Sequence, residues 1–524
     1  MSPATVPAGG VRRPWLGLAV LLLPVTLMTA DLGVLWLATP FLAGDLRPTG
    51  GELLWITDVY GFLTAGTLVV MGTLGDRIGR RRLLLYGSAG FAAASLLAAY
   101  ATSPLMLILA RALLGVAGAA VLPSTLALIS HMFTDARQRA TAIAMWVTAL
   151  SVGLAAGPVI GGVLLDHWWW GSVFLIGIPV MVPVLLLARV LLPEYRDPDA
   201  GRLDLVSVAL FLLAVLPLIY AVKDAAGQGP GAGTAFASAV GAAFAVAFAR
   251  RQNRLARPLL ELRLFRDRAF AGALLALLLG MTALNGVEYL VPQYLQSVGG
   301  LSPLAAGLWL IPGAAGLVLG SQLTPVLAAR FRPALVIVGG LVVALGGYTV
   351  LAVAEGVLPV SLGLTVVMFG VAPISVLGTG LAVGAAPPEK AGAAAATGQT
   401  AYDLGLALGI AVTGSVATAV YRARMPGGAP DEARDTLGAA LALAERMPGG
   451  DALAATAKAA FTSGLQGASV LSAGFALVTA GLVAVLLRHV PPVSAGRPDP
   501  AEPPARKDPP LPSSDAAPRV PSGV

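Results

Sequence analysis

Cysteine is absent from the 524 residues, so disulfides and thiolate metal sites are excluded. Histidine is nearly absent: His131, His167 and His489 are far apart and fall near predicted helix ends, and no metal site is expected. Lysine is scarce. None of Lys223, Lys390, Lys458 and Lys507 follows a glycine, which rules out a Walker-type phosphate loop and a built-in ATPase of that kind. Charge of either sign is sparse: 12% of residues against 57% hydrophobic, with a mean hydropathy of +0.82. Soluble domains carry about twice that charge fraction. The composition is that of a polytopic membrane protein embedded in a lipid bilayer. The net charge of +7 belongs to polar loops, and no nucleic-acid partner is expected.

Apolar runs of membrane-spanning length recur along the chain. They lie at 15–42, 53–73, 83–103, 104–127, 140–165, 171–192, 203–222, 233–250, 268–296, 304–328, 333–353, 358–384, 394–420 and 466–488, which predicts fourteen helices. The first run is longer than a signal-peptide core and carries Asp31, so it is read as a retained helix. An even number of spans puts both tails on one side. Placing them in the cytoplasm of a cell-membrane protein sends most of the 34 Lys and Arg to inner loops. Five exceptions, Arg422, Arg424, Arg434, Arg446 and Lys458, share one long outer segment, 421–465. Trp168-Trp169-Trp170 has the character of an outer aromatic belt.

The densest charge is in Gly72-Thr-Leu-Gly-Asp76-Arg77-Ile-Gly79-Arg80-Arg81-Arg82. Five charges in seven residues cannot stay in hydrocarbon, so this stretch is a tight turn between two spans, on the cytoplasmic side. Gly72, Gly75 and Gly79 would allow close backbone approach there. A turn of this kind can be a topology signal alone, or a gate in which Asp76 and Arg80 brace the two halves; Asp135 is a plausible further partner for its arginines. A fainter copy, Leu327-Ala-Ala-Arg330-Phe-Arg332-Pro, marks a second half. The predicted organisation is therefore a tail (1–13), a six-helix bundle (14–192), two inserted helices with a basic linker (193–267), a second six-helix bundle (268–490) and a disordered cytoplasmic tail (491–524).

Polar chemistry inside the spans is confined to few residues. Arg111 lies in the fourth span, and a buried arginine is costly. At 1.5 Å per residue it is about 10 Å from the outer end, and Asp58 about 8 Å. Asp31 falls in the same outer half, so the three could share one network. Glu288 and Asp403 are the acids of the second half. Buried carboxylates exchange a proton for a cation readily. Trp36, Tyr60, Tyr289 and Tyr402 lie near these acids in sequence and are candidate contacts for a flat lipophilic cation. In the fifth span, Gly153-Leu-Ala-Ala-Gly157-Pro158-Val-Ile-Gly161-Gly162 combines a kinking proline with a smooth glycine face.

The 72–82 turn resembles the loop signature of the major facilitator superfamily. The 153–162 string resembles the antiporter motif of its drug exporters, and Arg111-Ala-Leu-Leu114-Gly115 resembles the fourth-helix motif, with Leu114 where a polar residue is common. With Tyr402-Asp403-Leu-Gly405, the likeness over about 15–490 is to the fourteen-helix drug:proton antiporters, the QacA-like exporters. The resemblance implies a 6+2+6 all-α fold of two pseudo-symmetric bundles. It gives Asp31, Asp58 and Asp403 the places of the family's acids in helices one, two and thirteen. The first-helix pattern D-x-T-x-x-N-x-A-L-P reads Asp31-Leu-Gly33-Val-Leu-Trp36-Leu-Ala-Thr39-Pro40 here. Leu317 replaces a tenth-helix acid, and Glu288 is added. The expected function is proton-coupled export of amphipathic, often cationic drugs by a monomer that is not an enzyme and needs no cofactor beyond the proton gradient. Export of one endogenous antibiotic is the alternative, and a membrane sensor or scaffold is a remote one.

Overall fold

The structure is a computed structural model that describes residues 14–133, 135–196, 204–228, 231–255, 262–385, 391–448 and 450–491. The expected tails, save Pro491, and the middle of the basic linker lie outside the described residues. Among the described residues the chain is helical almost throughout. The first half comprises α1 (Pro14–Leu46), α2 (Gly50–Ile78), α3 (Arg80–Ala99), α4 (Pro104–Met132), α5 (Ala136–His167), a short α6 (Ser172–Leu175) and α7 (Gly177–Leu191). The inserted pair is α8 (Leu205–Gln228) and α9 (Ala232–Gln252). The second half begins with α10 (Arg268–Gln293), which runs on into a π turn, Tyr294–Val298. It continues with α11 (Pro303–Arg330), α12 (Pro333–Val353) and α13 (Val357–Gly384). Next, α14 (Ala391–Gly409), a second π turn (Ile410–Gly414) and α15 (Ser415–Arg424) follow without a break. Short α16 (Asp431–Asp435) and α17 (Leu437–Ala444) lead to α18 (Asp451–Leu486).

Helix starts are written locally. Thr49 and Glu52 form a capping box at α2, with Thr49 N donating to Glu52 Oε2 at 2.8 Å. Ser103 and Ser302 cap α4 and α11, each followed by proline in the first turn, where its missing N–H costs nothing. Twelve helices are long and apolar enough to cross a membrane. α2 is bent by 50° between Leu68 and Val70 and counts as a thirteenth when taken as one span. Leu212 of α8 sits beside this bend, where a Gly66 side chain would stand. The fourteenth expected span is α8, whose apolar stretch, Leu205–Leu218, is short. Twelve to fourteen crossings are compatible with these helices. The last helix starts at Asp451, well before the predicted 466, because Ala-rich 451–465 continues the helix instead of forming a separate loop element.

In the first bundle α1 packs along α5, and α2 and α3 pack on α4. In the second, α13 packs on α11 and α12, while α10 packs on α14 and α18. The bundles meet along α5–α11 and α2–α14. The inserted helices pack on each other, and α8 leans on α2 and α15. Arg251 of α9 donates two hydrogen bonds to Asp204, at 2.8 and 3.0 Å, and these hold that carboxyl down at about 2.

The charged turn is built as a clamp within the first half. Asp76 binds Arg80 at 2.6 Å one helical turn away. Arg80 N donates to Tyr195 O at 2.9 Å, Arg81 N to Glu194 Oε1 at 3.2 Å, and Arg81 Nη1 to Leu192 O at 2.9 Å. The turn thus ties the α2–α3 corner to the strand of chain leaving α7, and these bonds do not reach the second half. Asp135 accepts from Gln138 N at the start of α5. Gly79 has φ +111°, and the Glu194 carboxylate fills the space its side chain would take. Gly75 lies against Arg80, whereas Gly72 faces open space, so close approach explains only two of the three glycines. Arg77 is exposed. Gly79→Ala should lower stability by about 1–3 kcal/mol and Gly72→Ala by less than about 0.5 kcal/mol. Thermal unfolding of the purified variants checks this, and equal losses would refute the clamp.

Candidate functional site

Arg111 on α4 is fully buried. Its Nη1 lies 2.6 Å from Asp31 Oδ2 on α1, and Nε donates to Ile56 O on α2 at 3.3 Å. Nη2 has no hydrogen-bond partner among the described residues, but the guanidinium carbon sits 4.7 Å from the centre of the Tyr60 ring. A cation over a ring face gains electrostatic attraction that replaces part of the lost hydration. The helices can come this close because of glycine. A Cβ on Gly115 would lie 2.5 Å from Tyr60 O, and one on Gly118 would lie 2.5 Å from Met28 Cε. Thr64 donates to Tyr60 O at 2.8 Å and extends the same contact.

Of the three residues expected to share a network, Asp31 and Arg111 form an ion pair, and the Tyr60 ring lies against the guanidinium. Asp58, 1% exposed, has Thr57 Oγ1 at 3.4 Å and lies within electrostatic reach of Tyr289 on α10. Glu288 is buried in α10 rather than placed at the rim of the bundle. Asp403 on α14 is partly accessible and accepts from Gln399 Nε2 at 2.9 Å. Its charge reaches Tyr402 and, across the junction between the bundles, Tyr60. Tyr60 lies against Arg111 and sits on α2, which packs on α14, the helix of Asp403. Trp36 is buried in the apolar core.

The fifth-helix string backs this centre. A Cβ on Gly157 would lie 2.6 Å from Ala30 O, one on Gly161 would lie 3.1 Å from Val34 Cα, and one on Gly153 would meet the Thr29 hydroxyl. Gly33 answers Pro158 in the same way, at 3.0 Å from Pro158 Cδ. These contacts flank Asp31 on both sides and fix its helix against α5. Gly162 faces the other half, with Leu304 Cα 2.6 Å from where its Cβ would be. Gly307 of α11 approaches Pro158 O at 2.5 Å by the same measure.

Four polar residues escaped notice in the sequence. Gln296 Nε2 donates to Leu37 O at 3.0 Å and joins the bundles. Asn285 donates to Leu406 O at 2.6 Å, Thr64 supports Tyr60, and Glu194 holds the charged turn. Gln293 and Gln296, one helical turn apart in an apolar run, were a readable signal for the first of these.

Residues 21–410 match the Major Facilitator Superfamily. The chain belongs to that superfamily. Its fold is shared by a bacterial homologue of the human lysosomal transporter Spinster, solved in an inward-facing and unoccupied conformation. The TM-score is 0.67 at 17% identity, over 91% of this chain and 97% of that one. Among curated relatives, the multidrug efflux pump LfrA of Mycolicibacterium smegmatis is 43% identical over 495 residues, covering 91% of this chain and 97% of LfrA. The methyl viologen resistance protein SmvA of Salmonella typhimurium is 34% identical over 481 residues, covering 91% and 97%. This superfamily member is a multi-pass membrane protein, and its family and fold are those of transporters.

Removing one member of a buried ion pair strands the other. Arg111→Leu should cost about 3–5 kcal/mol. Adding Asp31→Asn in the same chain should recover part of that loss. Thermal stability of the single and double variants in detergent measures both effects, and strict additivity would mean that the two side chains do not act as a pair.

Proposed function

We propose that this protein is a proton-driven exporter of amphipathic, often cationic drugs across the cell membrane. The observation that carries this reading is the fully buried Asp31–Arg111 pair against the Tyr60 ring in the first bundle, with Asp403 of the second bundle on α14, the helix that packs on α2. Full-length likeness to LfrA and SmvA, both named for drug efflux or resistance, supports the substrate class. In this reading both tails and the 72–82 turn face the cytoplasm. The contacts named between the bundles, at Gly162, Gly307 and Gln296, then lie toward the outer side.

Coupling follows from charge. With Asp31 ionised, Arg111 is neutralised and the carboxylates of the site favour a bound cation. A proton arriving on Asp31 removes half of the 2.6 Å ion pair and leaves Arg111 as an uncompensated positive charge. That charge repels a cationic substrate and favours its release. Asp403, partly accessible and hydrogen-bonded by Gln399, is the complementary acid in the second half. Asp58 and Glu288 add negative charge, and Tyr60, Tyr289 and Tyr402 offer ring faces to a flat ligand. The inward proton gradient supplies direction, and a single chain carries all of these groups.

Reconstituted protein with an internal pH dye tests the coupling. Adding substrate to wild type should move protons, while Asp31→Asn and Asp403→Asn should abolish the movement in a folded protein; Glu288→Gln should affect only some substrates. Normal proton movement in Asp31→Asn would remove Asp31 from the coupling role.

A further inference from the structure

A cavity of about 360 Å³ has a lining that includes none of Asp31, Arg111, Tyr60 and Asp403. It sits at the first turns of α2, between that helix, the inserted helix α8 and α15. Trp55 comes from α2, Tyr220 and Asp224 from α8, Ser415 and Arg422 from α15, and Asp435 from α16. Leu54 and Trp55 give its lining apolar surface, and Trp55 is backed by Phe62, edge to face at 6.5 Å, and by Val215 and Leu216 of α8.

The charge at its wall is negative. Arg422 Nη2 binds Asp435 Oδ1 at 2.9 Å, so these two cancel. Asp224 remains, with its Oδ2 accepting a hydrogen bond from Thr234 Oγ1 at 2.5 Å. That bond comes from a neutral hydroxyl and leaves the carboxylate charge in place. Tyr220 is 46% exposed beside it. Ser415, 1% exposed, has a buried hydroxyl with no hydrogen-bond partner among the described residues.

We infer that this cavity is a second binding site, for a flat lipophilic monocation, in which Trp55 and Tyr220 supply ring surface and Asp224 the counter-charge. Two aromatic side chains with a single unneutralised carboxylate select such a ligand over an anion by charge and over a hydrated metal ion by their apolar faces. The inserted helix pair then does more than fill space beside the bundles, because α8 carries two of the recognising residues. The site would hold the ligand next to the α2–α15 contact between the halves, apart from the acids that move protons.

This rests on the cation-export reading, and the test separates the two. Ethidium binding to the full-length protein is measured by equilibrium dialysis in detergent. Wild type should bind two ethidium per chain. Asp224→Asn should weaken one of them by about tenfold and leave the other, and Asp403→Asn should do the reverse. Thr234→Ala removes the hydrogen bond but keeps the charge, and should leave both. One ethidium per chain, lost in Asp403→Asn and untouched by Asp224→Asn, would overturn the second site while the export reading stands. Equal weakening by Asp224→Asn and Thr234→Ala would also overturn it, since Asp224 would then act only by holding α8 to α9. No saturable ethidium binding would overturn the cation reading of both sites.

Discussion

A guanidinium with no exposed surface sets the terms for the first bundle. Arg111 can be buried only if Asp31 is held against it, and 2.6 Å leaves no room for slack. α1 must therefore stay close to α4, although α5 is its main packing partner. The glycines of α5 on one side and Gly115 and Gly118 of α4 on the other make this possible, since larger residues would push the charged pair apart. The ring of Tyr60 and the carbonyl of Ile56 bring in α2 as well. Three helices are thus registered by one ion pair, and the pair is worth more as a registering device than as a source of stability.

The second bundle has no counterpart to this. Glu288 and Asp403 lie on different helices, and no arginine stands between them among the described residues of α10 and α14. Its packing relies on backbone proximity at glycines, such as Gly340 against Gly370 and Gly405 against Leu278, and on amide bonds such as Asn285 to Leu406. The asymmetry places the fixed charge in one half and the partly accessible acid in the other. The helix that carries Tyr60, α2, packs on α14, the helix that carries Asp403.

Much of this was legible in the sequence, and the limits have physical causes. Hydropathy located the spans because length in hydrocarbon is a one-dimensional property, and counting residues from the helix ends put Asp31 and Arg111 at one level. The same counting could not show which way Asp58 turns, because rotation about a helix axis depends on neighbours. Glu194 was not recognised, since its partners lie more than a hundred residues away, at 79–82. Gly72, in register with two glycines that are sterically required, turned out to face open space. Trp36, a candidate ligand contact by position, is buried in the same core cluster as Tyr60 and Tyr289. The α8 span was counted at full length, whereas its apolar stretch ends at Leu218.

The contact between α5 and α11 is made from main chain. Gly162 meets Leu304 Cα and Pro303 O, and Gly307 meets Pro158 O. Glycine at 162 and 307 is what the fit requires, while the residues they meet contribute main-chain atoms whatever their side chains. A substitution in the interior that spares these two glycines leaves the seam between the bundles as it is, whereas any larger residue at 162 or 307 would part the halves without touching a single acid.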